Sequence, residues 1–105
     1  MALSRSFKDT IKARAERDPA FRAALLQEAI QALIDGDLDT GKAVLRDYVN
    51  ATIGFEALSR ATKMPPKSLM RMLSSSGNPR ADSLFSVVSA LQKKAGVKVR
   101  VRTSP

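Results

Sequence analysis

The stretch GFEALSRATKMPPKSLMRMLSSSGNPR, residues 54–80, decides the fold, because its punctuation leaves room for only short elements. A first short helix runs from about Phe55 to Thr62, with Phe55, Leu58 and Ala61 at the three-and-four spacing of an inward face. The chain then turns at Lys63-Met64-Pro65-Pro66. A second short helix covers about Pro66–Ser75, and Gly77 is placed to end it in the left-handed conformation. Asn78-Pro79 makes a turn. A third helix follows over about Asp82–Lys94, with Leu84, Phe85, Val88 and Leu91 inward, and Gly96 ends it.

Two short helices joined by a turn of three or four residues form the core of a helix-turn-helix. In that arrangement the second helix enters the major groove of DNA. With Leu69 at the origin of a helical wheel, Met72 and Leu73 share its side and define the buried face. The opposite side collects Lys67, Arg71 and Ser74, flanked by Ser68, Met70 and Ser75. This face is basic and hydroxyl-bearing, and residues 65–81 contain no acid. Arg and Lys read guanine edges, and Ser contacts bases or phosphates. The helix start also presents free N–H groups to a phosphate. Lys67, Ser68, Arg71 and Ser74 are therefore the candidate DNA contacts. Arg80 is placed to touch the backbone on the flank.

Working outward, the N-terminal third is helical. Ser4 is positioned to cap a first helix over about Phe7–Arg17. Asp18-Pro19 starts a second helix, since Asp accepts from orphan amides and Pro at the first helical position loses nothing. That helix carries Phe21, Ala24, Leu25, Ala29, Ala32 and Leu33 on one stripe, and Leu26, Ile30 and Ile34 on another. Two stripes predict burial on two sides. Asp35-Gly36 ends it. A third helix begins near Asp39-Thr40, with Leu45, Tyr48, Val49 and Thr52 inward. The apolar second helix reads first as core enlargement. The more polar first helix is the better partner-binding element.

Beyond Gly96, Val97-Lys98-Val99-Arg100-Val101-Arg102 alternates with period two and predicts a short strand over 97–102. A lone strand needs another edge. The same strand of a second copy supplies one across a two-fold axis, which makes Val97, Val99 and Val101 candidate dimerisation residues. Addition to a partner's sheet edge is the alternative, and a frayed tail the simplest one.

Composition narrows the function. The 105 residues carry 18 Lys and Arg against 10 Asp and Glu, and residues 65–105 hold eight of the basic residues with one acid, Asp82. A positive field at one end of a small domain favours a polyanion. There is no Cys and no His, which removes the usual thiol nucleophile, general base and zinc ligands. No glycine-rich phosphate loop is present. An enzyme, a metal and a cofactor are not expected. Asp37 and Asp39 read as helix-start caps rather than as a catalytic pair. No stretch resembles a signal peptide or a membrane span, so a soluble cytoplasmic protein is expected.

The motif resembles the Xre/Cro-type helix-turn-helix family in Gly54–Ser59, the turn Lys63-Met64-Pro65, the helix Lys67–Leu73, and Gly77-Asn78-Pro79 with Leu84 and Val88. Ser59 stands where that family usually has alanine, and Pro65 replaces the usual serine cap. More widely, Asp18-Pro19-Ala20-Phe21, the run Ala43–Thr52, the segment Lys67–Ser74 and Gly77-Asn78-Pro79 are similar to the addiction-module antidote proteins, which are HigA-like antitoxins. The resemblance implies an all-α, compact domain of five to six helices with a short C-terminal β-strand. Within one domain over 1–105, residues 1–35 form a helical extension, 39–95 the core and 97–102 the strand. It also implies a homodimer that binds its own operator, represses its operon and neutralises a RelE-like ribonuclease toxin. A stand-alone phage-type repressor is the alternative. A helical protein-interaction adaptor without DNA binding is the second.

Overall fold

Asp18 and Asp37 start helices by one device. Asp18 Oδ1 accepts from the Phe21 amide at 3.1 Å, and Asp37 Oδ1 accepts from the Thr40 amide at 3.2 Å. Each satisfies a first-turn N–H that has no preceding turn to donate to. In the computed structural model, which describes residues 5–105 and side chains from residue 9 onward, these caps open two of six helices. They are α1 (Arg5–Arg17), α2 (Pro19–Ile34), α3 (Leu38–Ala51), α4 (Gly54–Thr62), α5 (Pro66–Met72) and α6 (Ala81–Ala95). Ser4 lies outside the described residues. A Cα radius of gyration of 13.2 Å matches the roughly 13 Å of one closed 100-residue domain. No helix among the described residues is long and apolar enough to cross a membrane.

The core joins α2 through α6. Leu26 and Ala29 of α2 meet Leu45, Tyr48 and Val49 of α3, Phe55 and Leu58 of α4, Leu69 of α5, Leu73, and Leu84, Val87, Val88 and Leu91 of α6. Helices α2 and α3 make the most extensive pairing. Their backbones approach closely at Gly41, where a Cβ would collide with the Leu33 side chain. Each stripe of α2 sends one residue to full burial, Ala29 from one and Leu26 from the other. Phe21, Leu25, Ile30 and Leu33 are half-buried around them, and Ile34 is exposed. Helix α1 is tied to α2 at its end. Ala15 is buried, its carbonyl accepts from Arg22 Nη1, and the Arg14 guanidinium sits 4.5 Å from the Phe21 ring centroid.

Several expectations are corrected. Residues 97–102 form no β-strand, and no strand occurs among the described residues. Val97 and Val99 are half-buried against the chain's own core, and the Val99 amide donates to Gln92 Oε1 at 2.8 Å. The alternation therefore does place valines inward, but toward helices that offer no ladder of hydrogen bonds. Val101 is exposed. Helix α5 stops at Met72 rather than Ser75. Gly77 is not left-handed. The positive-φ glycines are Gly36, Gly54 and Gly96, and Gly77 matters because a Cβ there would fall on the Arg71 and Met72 carbonyl oxygens. Ala61 and Phe85 face outward, Phe85 with 63% of its surface exposed. The inner face of α6 is Leu84, Val87, Val88 and Leu91, and a residue one step from Leu84 is rotated about 100° away from it.

Leu45→Ala, at a position of zero exposure, is expected to lose about 2–5 kcal/mol of stability in denaturant titration. The Asp37 carboxyl is held below its ordinary value of 3.8 by hydrogen bonds from the Thr40 side chain and amide. A depressed folded-state value stabilises the fold above the ordinary carboxylate range, and the contribution disappears as pH falls through the depressed value. Asp37→Asn keeps a good cap residue, so its unfolding midpoint should match the parent near neutrality and fall less steeply in acid.

Candidate nucleic-acid interface

The turn between α4 and α5 is built from hydroxyls. Lys63 occupies the left-handed region at φ 62°, and its amide donates to the Ser59 carbonyl at 2.7 Å. The Ser59 hydroxyl donates to the Met64 carbonyl at 2.6 Å. Thr62 Oγ1 donates to the Leu58 carbonyl at 2.8 Å and accepts from the Met64 amide at 3.4 Å. Ser59 thus ties down the turn's carbonyl. Pro65, at the α5 cap position, makes no side-chain cap. Pro66 has no N–H to satisfy, and the Pro65 carbonyl accepts from the Leu69 amide at 3.1 Å.

Leu69 and Leu73 are fully buried and Met72 is half-buried, so the orientation of α5 is fixed. Lys67, Ser68, Met70 and Arg71 are exposed on its outer side. Lys67 and Arg71 stand one turn apart. Ser74 departs from the expected face. It lies beyond the end of α5, is half-buried, and its hydroxyl donates to the Arg71 carbonyl at 2.6 Å. It closes the helix end instead of pointing outward. Arg80 sits at the α6 cap position and is exposed, with Nε 3.3 Å from Asp82 Oδ1. Both side chains are open to water, so the pair is worth little and Arg80 remains available. Of the other predicted residues, Val97 and Val99 pack at home and Val101 points out.

Two residues of this region escaped the sequence reading. Lys42, on α3, is only 2% exposed. Its Nζ donates to the Gly77 carbonyl at 2.6 Å and the Ser75 carbonyl at 3.4 Å, with Asp39 Oδ1 3.7 Å away. One turn further along α3, Arg46 Nη1 donates to the Leu73 carbonyl at 3.1 Å. The last carbonyls of a helix have no intrahelical partner, and cations suit that end of the helix dipole. Here α3 supplies both cations, clamping the end of α5 and the loop after it. The only signal in the sequence was two basic residues four apart on a helix, Lys42 three residues after Asp39 and Arg46 next to Asp47, which reads equally well as a solvated face.

No protein-family model, curated protein or solved structure matches the chain.

Lys42→Met keeps the stem's packing and removes the donor. Carbonyls left without a charged partner are expected to lower stability by about 1–3 kcal/mol, read by denaturant titration, and to speed amide exchange selectively at 73–78.

Proposed function

We propose that this chain is a sequence-specific DNA-binding regulator with an Xre/Cro-like helix-turn-helix, in which α4 and α5 are the two helices of the motif and α5 reads the major groove. One observation carries the reading. Lys67 and Arg71 project together from a short helix whose other face is locked into the core, in a stretch without acids. A bidentate arginine or a lysine on a rigid helix is the arrangement that reads guanine edges. Ser68 flanks them, and Arg80 supplies a phosphate contact that positions the domain. Ser74 keeps its hydroxyl on the Arg71 carbonyl, so its role is to hold Arg71's turn.

The same proposal extends to biology through the resemblance of Asp18–Phe21, Ala43–Thr52, Lys67–Ser74 and Gly77–Pro79 to HigA-like antitoxins. On that reading the chain is a cytoplasmic homodimer that represses its operon and neutralises a RelE-like ribonuclease toxin. A stand-alone repressor shares the DNA face and differs only in having no toxin. An adaptor shares neither.

Fluorescence anisotropy against a duplex from the chain's own upstream region, beside a scrambled duplex and across a salt series, tests the core of the proposal. Operator binding should exceed scrambled binding by about a thousandfold or more. Arg71→Ala should lose about 1–3 kcal/mol of binding and relax discrimination at one position, whereas Arg80→Ala, on a phosphate, should lower the salt slope by about one. Equal and steeply salt-dependent binding to both duplexes reflects a generic basic surface and defeats the proposal. Co-expression with the product of a neighbouring toxin gene separates the two regulators, since only an antitoxin restores growth.

A further inference from the structure

The outward face of α6 is self-complementary. Val87 and Val88 lie at the middle of the helix and point into the core. On the opposite side, Asp82, Phe85, Ser86, Ala90, Ser89 and Lys93 are arranged symmetrically about that midpoint. Were two copies of α6 laid antiparallel on a two-fold axis there, Asp82 would face Lys93, Phe85 would face Ala90, and Ser86 would face Ser89. All six lie within one half of the helical wheel at about 100° per residue. Phe85 is 63% exposed, and all the others except the half-buried Ala90 are exposed. A large exposed aromatic beside small residues is the composition of a contact surface, since the ring needs a shallow seat. The surface provides that seat. A groove of about 550 Å³ between α4 and α6 is lined by Ala61 and Ala90 together with Phe85.

We infer that this face of α6 is the interface through which two copies of the chain associate, antiparallel and isologous, with Phe85 of each copy seated over Ala90 and Ala61 of the other. Charge favours a second copy as the occupant. The acid lies at the start of the helix and the base at its end, so a two-fold axis creates two opposite-charge pairs at once. A parallel arrangement would set like against like. Arg80 touches Asp82 from one side, and a carboxylate has acceptor capacity for a second cation. The serines at the centre let the backbones approach and can exchange hydroxyl hydrogen bonds. The inference gives the proposed homodimer its surface and moves it from Val97, Val99 and Val101 to α6. Its test uses neither DNA nor toxin, so it can fail while the DNA-binding reading stands.

Sedimentation equilibrium at physiological salt, where repulsion between two basic copies is screened beyond about 8 Å, measures the association. Phe85→Ser should raise the dimer dissociation constant by about tenfold to a hundredfold, with the helical circular dichroism unchanged. Asp82→Lys and Lys93→Asp should each weaken self-association by about fivefold or more. Mixing these two variants should restore dimers, because each would then bring the charges the other needs. Weakening by each single variant is what marks antiparallel pairing, because in a parallel pair each change would only exchange one like-charge contact for another. A parent chain monomeric at about 1 mM, variants that dimerise like the parent, or a mixture that stays as weak as its components would overturn the inference. So would a dimer lost in Val101→Asp and indifferent to Phe85→Ser.

Discussion

Two cations on α3, Lys42 and Arg46, hold the carbonyls of Leu73, Ser75 and Gly77, and the placement of the basic face depends on this clamp. Helix α5 has seven residues, far fewer than an isolated helix needs to persist in water. Its apolar side supplies burial through Leu69 and Leu73. Its end, however, exposes carbonyls beside the core, and a buried carbonyl without a partner is destabilising. Lys42 resolves this by bringing an ammonium into the interior, where it is itself nearly sealed from water. Such a charge is tolerated only because several acceptors surround it. The clamp and the buried leucines together make α5 a rigid platform rather than a fraying turn.

Rigidity on the inner side lets the outer side be almost purely electrostatic. Among the described residues Lys67 and Arg71 make no ion pair that would occupy them, and no acid lies between residues 65 and 81 to neutralise their field. The charges lower on the fold behave differently. Arg14 is engaged with Asp18 and the Phe21 ring, and Arg22 with the Ala15 carbonyl. The chain thus divides its cations between those that tie helices together and those that stay exposed to solvent, and the second kind accumulates toward the C-terminal end.

The surface of α6 adds a different constraint. Four apolar residues at three-and-four spacing already fill its inner face, so Phe85 has no place in the core. An aromatic ring left in water beside Ala61 and Ala90 is a feature the monomer's packing does not explain, and Asp82 and Lys93, placed symmetrically about the middle of α6, suit the dimer proposed for this face.

Helix starts, the helix ends at Gly36 and Gly96, and the exposure of Lys67 and Arg71 were legible in the sequence because the rules behind them are local. A cap reaches three residues, as Asp18 and Asp37 do, and the side of α5 that carries Lys67 and Arg71 follows from helical geometry once Leu69 and Leu73 are known to be inside. What only the tertiary structure decided is what depends on distant neighbours. Lys42 and Arg46 find acceptors 27 to 35 residues away. Gly77 is required by the Arg71 and Met72 carbonyls rather than by a left-handed turn. Ser74 turns back onto its own helix. Val87 displaces Phe85 from the core because α6 meets its neighbours along one line and not along the one beside it. The valines of 97–102 keep the alternation of a strand, yet they settle on helices, since pattern specifies which side faces in and only the fold determines what stands there to meet it.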